Sequence, residues 1–283
     1  MARMRKLQPL PTSGALTLLR ALFKRASAVD RASPLATHYE LSHCDAGRIE
    51  RYRRLLGFAA DAVPVTFYYV LAQRAQLATM LQPAFPFRVV GMVHVDNAIV
   101  ERRPLAPGLP LQIATSVTIE PSASVGARYC ELLSVGTQQG ETVFECRSRY
   151  LAVRRPRATG PRVAAASPAE DQQRWSPIGE WALTASSGRA YAAVSGDWNP
   201  IHLWRWSARL LGMKAPIIHG MHSVGQACAL LERLSGRRAT AISAQFKAPL
   251  PLGSAVELHT DSAEGEYRVA CKGQTILTGT IQY

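Results

Sequence analysis

The stretch Tyr191–Met221 reads YAAVSGDWNPIHLWRWSARLLGMKAPIIHGM. It sets Asp197, Asn199 and His202 in one tight run and brings His219-Gly220 to the head of a long apolar segment. Gly196, Pro200 and Gly212 interrupt helical continuity, so the middle of the stretch is predicted to be a shaped loop. Asp and His are side chains that exchange protons near neutral pH with little pKa adjustment. A loop carrying both, followed by Gly220 at a helix start, offers an acid/base pair and a backbone N–H donor together. Each residue also has a plain structural role open to it. Asp197 can close an Asx turn, Asn199-Pro200 can be a turn, and His202 can be a packed histidine.

Working outward, the segment Ile217–Leu234 places Met221, Val224, Ala227, Cys228, Leu231 and Leu234 on one helical side. Strand-like runs follow at Thr240–Ala248, Ala255–Thr260, Tyr267–Cys271 and Thr275–Gln282. The first half of the chain has the same grammar. A short segment, Thr37–Ser42, leads to a polar helix around Asp45–Leu56 and a second helix from Thr66 to Leu81. Strand-like runs then occupy Arg88–Glu101, Leu111–Glu120, Ala127–Gly136 and Thr142–Val153. PLAPGLPLQI (104–113) answers PLPLGSAVEL (249–258), each after an alternating strand. Each half therefore reads as a helix followed by an antiparallel meander, which is α+β. The expected divisions are a basic leader at 1–36, a first unit at 37–153, a Pro/Ala/Arg-rich linker at 154–172 and a second unit at 173–283.

The string Ser195-Gly196-Asp197-Trp198-Asn199-Pro200-Ile201-His202, with Ile217-Ile218-His219-Gly220-Met221 beyond it, resembles the hydratase motif of MaoC-like (R)-specific enoyl hydratases and dehydratases. The resemblance implies a double hot-dog fold: two repeats of a central helix wrapped by an antiparallel sheet, paired edge to edge as a pseudo-dimer. It implies Asp197 and His202 as catalysts and the Gly220 N–H as an oxyanion donor. Asn199, Ser195 and His219 are supporting residues, and Cys228 stands where similar enzymes often carry a Ser. The implied reaction is reversible hydration between trans-2-enoyl and (R)-3-hydroxyacyl thioesters, the acyl group carried by CoA or an acyl-carrier protein. No cofactor and no metal is implied, although His219 and His222 with His202 and Asp197 can mimic a metal site. The first unit lacks the Gly-Asp-x-Asn-Pro run. Its best acid/base candidates are His94 and Asp96, so it is expected to be a degenerate hot-dog that walls the acyl chain. Two other readings stay open: a hot-dog thioesterase and a non-catalytic acyl-binding subunit.

Composition sets the outer bounds. The chain has 283 residues, 47% of them hydrophobic and 19% charged, ordinary values for a packed globular protein. The net charge of +13 attracts anions, but no nucleic-acid motif accompanies it, so nucleic acid is not expected as a partner. A phosphate-bearing carrier or an acidic carrier protein fits the same charge. Cys44, Cys130, Cys146, Cys228 and Cys271 are scattered and form no C-x-x-C, which points to reduced thiols and a cytoplasmic setting. No apolar run reaches the roughly 20 residues of a membrane span. Residues 15–25 of the leader can form an amphipathic helix that packs on its own unit or leans weakly on a membrane or carrier protein. Further homodimerisation is compatible with the pattern. Tyr191 is expected to pack, and Trp198, Trp204 and Trp206 either narrow the site's mouth or serve as ordinary aromatics.

Overall fold

A computed structural model describes residues 7–11, 15–26, 35–59, 61–120, 127–154, 174–261 and 265–283. The linker expected at 154–172 lies outside the described residues beyond Arg154, as do positions 1–6, 12–14 and 27–34 of the leader. The first half runs β1 (Gln8–Pro9), α1 (Ala15–Phe23), β2 (Leu35–Leu41), α2 (Ala46–Leu56), α3 (Phe67–Met80), β3 (Val93–Glu101), β4 (Leu111–Ile119), β5 (Ala127–Gln138) and β6 (Glu141–Arg154). The second runs β7 (Ser176–Ala182), α4 (Ser187–Ser195), a 3-10 turn (Pro200–His202), α5 (Arg205–Leu210), α6 (Gly220–Ser235), β8 (Ala241–Phe246), β9 (Ala255–Asp261), β10 (Glu266–Cys271) and β11 (Gln274–Gln282).

All the strands among the described residues join one sheet in the order β1-β2-β4-β5-β6-β3-β8-β11-β10-β9-β7. The expected plain meander is corrected here. In each half the strand after the long helix pairs with the last strand, not with the next one. The two halves share this topology, with β2, β4, β5, β6, β3 answered by β7, β9, β10, β11, β8. They meet where β3 and β8 pair antiparallel, from Asp96↔Gln245 to Val100↔Ala241. That pairing gives each edge strand a partner and leaves no open ladder at the centre. It is the edge-to-edge double hot-dog that the resemblance implies.

Two starting points also differ from the sequence expectation. Residues 88–92 turn before β3 begins, with Met92 N–H donating to Val89 O. Helix α6 begins at Gly220 rather than at 217, because Ile217 bridges Pro251 and Ile218 N–H donates to Leu250 O at 2.9 Å. Those backbone groups are already spent on strand-like bonds and cannot enter a helix.

Helix α3 explains its own composition. Phe67, Tyr68, Val70, Leu71, Ala72 and Ala75 are all buried, so the helix is apolar around most of its girth because sheet wraps it. Helix α2 then ties the halves together. Asp45 caps it by accepting from Arg48 N–H, and Tyr52 packs its ring on Phe67 of α3 (5.3 Å) and Tyr191 of α4 (6.2 Å). At the sheet junction, the buried Glu101 carboxylate accepts from Arg238 Nη1 of the second half (2.6 Å) and from the Tyr68 hydroxyl. Helix α1 sits against its own unit, with Ala21 buried and Lys24 Nζ donating to Phe85 O at 3.0 Å. No helix among the described residues is long and apolar enough to cross a membrane.

Candidate active site

Helix α4 stops at Gly196, whose N–H bonds Ala192 O, and the chain then folds into a series of local turns. Asp197 N–H donates to Ser195 Oγ at 3.2 Å, so Ser195 is a backbone anchor. Asn199 N–H donates to Asp197 Oδ1 at 3.2 Å, and the Asn199 side chain caps the 3-10 turn by accepting from Ile201 N–H. Asn199 therefore orients the carboxylate through its backbone, while its side chain holds the turn that delivers His202. The Asx geometry weighed as a purely structural role is present, and it is also what aims Asp197.

His202 is fixed from two sides. Its Nδ1 lies 2.9 Å from Ile217 O. A carbonyl only accepts, so Nδ1 carries the proton and the neutral ring keeps its lone pair on Nε2. Its backbone presses on α4 at Gly188, where a Cβ would meet His202 O at 1.9 Å. Sequence reading passed over Gly188, although a glycine inside a short helix signals close approach of another chain segment.

His219 is the N-cap residue of α6 and donates from Nε2 to Asp197 O at 2.9 Å. Its ring stacks on His202 with centroids 3.8 Å apart. The Asp197 carboxylate and the two imidazoles thus place one ligand atom each within 4.8 Å of one another. Such a trio could hold a cation, with His202 Nε2 and His219 Nδ1 as the nitrogens left over from the carbonyl bonds. Gly220 opens α6, so its N–H has no acceptor within the helix. A Cβ there would meet Phe246 Cε1 at 2.5 Å, which makes glycine the residue that fits.

The electrostatics follow from burial. Desolvation pushes His202 down to about 3, and the neighbouring His219 adds to the shift while Asp197 opposes it. His219 is lowered for the same first reason, and His222 falls to about 4. Burial pushes the Asp197 carboxyl up. His219, His202, the Asn199 N–H and the Gln73 side chain pull it down, and the pull prevails. At neutral pH the site therefore holds one carboxylate among neutral imidazoles, and Asp197 still keeps solvent-accessible surface.

The first half contributes a wall of polar groups, of which sequence reading singled out His94 and missed Gln73 and Gln76. Gln73 of α3 and His94 of β3 reach the same region, as the Gln73–Asp197 contact and the influence of Asp197 on His94 and Tyr69 indicate, and Gln76 of α3 accepts from the Tyr150 hydroxyl at 3.3 Å. Tyr69 and Tyr150 sandwich the His94 ring at 5.6 and 4.7 Å, and Phe246 meets it at 5.0 Å. His94 faces Tyr150 across the ladder and Asp96 faces Arg149, so Val95 is an extra residue, a bulge that re-aims His94. Asp96 turns away and pairs with Arg149 at 3.3 Å. Gln73 Oε1, Gln76 Nε2, His94 Nε2, His219 Nδ1, His222 Nδ1 and Ser223 Oγ are all buried without a protein partner. Orphaned polar atoms are costly, and those of Gln73, His94 and His219, gathered by the Asp197 carboxylate, mark a place built to receive polar ligand atoms or water. A 3.6-residue spacing of Tyr69, Gln73 and Gln76 was the available signal.

Cys228 is a correction. It is fully buried, its Sγ faces Glu232 Oε1 of its own helix at 4.0 Å, and burial raises its thiol. It lies eight residues past Gly220, roughly 12 Å along the helix axis, in the core. The hydroxyl nearest the start of α6 is that of Ser223 instead. Tyr191 packs as expected, with its ring 4.9 Å from His219. Trp204 and Trp206 stack on each other at 6.0 Å on the exposed surface.

Known proteins resemble this chain in sequence and in fold. Residues 170–279 match the family described as the MaoC like domain. The chain is 26% identical over 282 residues to 3-hydroxyacyl-thioester dehydratase X of Mycobacterium tuberculosis, covering 95% of this chain and 98% of that one. Among solved structures, HtdX of Mycobacterium tuberculosis superposes with a TM-score of 0.70 at 21% identity, over 87% of this chain and 98% of that one. A conserved hypothetical protein of the same organism, described as having a double hotdog fold, gives 0.57 at 12% identity, over 93% and 96%. The two structural likenesses speak to the fold alone.

Proposed function

Since residues 170–279 are a MaoC-like domain in a chain similar along its length to a 3-hydroxyacyl-thioester dehydratase, we propose that this protein reversibly hydrates trans-2-enoyl thioesters to (R)-3-hydroxyacyl thioesters. The observation that carries the reading is the locked tautomer of His202. With Nδ1 committed to Ile217 O, its lone pair stays on Nε2, beside an ionised Asp197. In the hydration direction a water held by Asp197 and His202 adds its oxygen to carbon 3. The pair takes one proton from that water and returns it to carbon 2, so nothing is consumed beyond the water. Negative charge builds on the thioester oxygen meanwhile, and the free Gly220 N–H at the positive end of α6 is suited to receive it. Dehydration is the same path reversed.

On this reading there is one active site per chain. The second half (173–283) supplies the catalysts, and the degenerate first half (37–153) supplies the wall against which the acyl chain lies. The pathway it serves is fatty-acyl metabolism, with the acyl group on CoA or a carrier protein. Incubation of the purified chain with crotonyl-CoA tests the proposal. Loss of enoyl absorbance without release of thiol is expected. Thiol release would mean hydrolysis and would overturn it.

A further inference from the structure

A second feature lies apart from Asp197 and His202. A cleft of about 200 Å³ opens between the end of β2, the start of α2 and the face of α3, with Leu41, Phe67 and Leu71 as its apolar wall. Two arginines line it, Arg48 from α2 and Arg74 from α3. Burial depresses both guanidinium groups, Arg74 to about 10, and the charge of Arg48 adds to the shift on Arg74. On Arg48 the Asp45 carboxylate opposes the shift, and both guanidinium groups belong to the lining of one cleft. Among the described residues neither forms an ion pair. The one carboxylate at the rim, Asp45, is turned to Arg51 at 3.4 Å and to the backbone N–H of Arg48 at 3.0 Å. Arg48 donates from Nε to Val194 O at 2.6 Å, and Arg74 donates from Nε and Nη2 to Leu10 O and Pro11 O. Those bonds fix both side chains and leave Nη1 and Nη2 of Arg48 and Nη1 of Arg74 without an acceptor among the described residues.

Like charges in one partly buried cleft repel, and an anion placed between them relieves that repulsion. Fixed, planar guanidinium forks match phosphate oxygens in particular. The cleft is smaller than the roughly 300–1,000 Å³ of a whole small-molecule site, so it suits the charged end of a longer ligand. The carbonyl that Arg48 grips belongs to α4, just ahead of Asp197, which joins the cleft to the loop carrying the proposed catalyst.

We propose that the Arg48–Arg74 cleft is a phosphate site that takes the phosphate ester of the pantetheine arm bearing the acyl thioester. This assignment of the arm rests on the hydratase reading; the binding of a phosphate ester does not. The test uses the full chain and two readouts. In calorimetry, 4′-phosphopantetheine is expected to bind, pantetheine without its phosphate to bind at least tenfold more weakly, and inorganic phosphate to compete. Arg74→Gln and Arg48→Gln each abolish the difference. In turnover, the same variants lose at least tenfold more kcat/KM with crotonyl-CoA than with crotonyl-N-acetylcysteamine, which carries no phosphate. Equal affinity for the two pantetheines, binding of inorganic phosphate alone, or an equal kinetic loss on both thioesters in folded variants would overturn the proposal. Phosphate-dependent binding in a chain that hydrates neither thioester would instead overturn the hydratase reading and leave the cleft standing.

Discussion

Replacing Gly220 by Ala tests the oxyanion donor without touching an ionisable group. The added Cβ would lie 2.5 Å from Phe246 Cε1, 2.8 Å from Cδ1 and 3.1 Å from Cζ. Carbon atoms pack at about 3.5–4.0 Å, so something must move by about 1 Å. The ring has little room, since it sits on β8 beside the β3–β8 junction and meets the His94 ring at 5.0 Å. Alanine gains up to about 1 kcal/mol of helix preference over glycine, and overpacking costs about 1–3 kcal/mol. The net loss of stability is therefore small, about 1 kcal/mol. The loss of rate is not small, because a donor displaced by about 1 Å is a donor largely removed, worth about 10²–10³ in kcat. The assay is crotonyl-CoA hydration followed by absorbance, with thermal unfolding alongside. Trimming the ring in Gly220→Ala/Phe246→Leu is expected to recover a good part of the rate. A Gly220→Ala enzyme that folds and keeps its rate within about threefold of wild type would refute the reasoning.

Other consequences follow from contacts already described. Gly188→Ala drives a Cβ into the His202 carbonyl, a backbone atom that cannot swing aside, and is expected to cost about 1–3 kcal/mol in urea unfolding together with most of the activity. Gln73→Leu removes a donor to the Asp197 carboxylate, so the acid limb of the pH–rate profile is expected to move to higher pH, with kcat reduced about tenfold and the melting temperature nearly unchanged. Arg238→Met leaves the buried Glu101 carboxylate without its cation at the joint between the halves, and urea unfolding is expected to show a loss of about 3–5 kcal/mol. His94, His202 and His222 are held neutral with pKa values of about 4, 3 and 4, below the unfolded value near 6.5. The unfolded chain binds those protons first, so stability is full above pH 6.5 and falls as pH drops toward 4. The loss is on the order of 3 kcal/mol between pH 6.5 and 5.5, read from unfolding curves across that range.

Much of this architecture is written in local pattern. The alternation of Leu111–Ile119 and the all-round burial of α3 follow from period-2 and period-3.6 spacing, and Gly196 and Gly236 end their helices in the left-handed conformation. The order of strands is not local. That β3 pairs with β6 and β8 instead of β4 depends on contacts far along the chain, which no window of residues contains. The site divides in the same way. Asp197, His202 and Gly220 are visible because one short loop and one helix start carry them. Gln73 and His94 come from the other half, and only the edge-to-edge joining of the sheets and the bulge at Val95 bring them in. Cys228 was misplaced for a geometric reason: helical spacing gave its face, but its distance along α6 puts it in the core beside Glu232.

The central claim is that Asp197 and His202 act as one acid/base unit on a single water. The direct measurement is a double-mutant cycle on enoyl-thioester hydration with Asp197→Asn, His202→Ala and both together. Each single variant is predicted to lose about 10²–10⁴ in kcat, and the double variant to be little worse than the poorer single, as expected of groups that share one proton transfer. Losses that multiply across the cycle, or a single variant with wild-type turnover, would contradict the account.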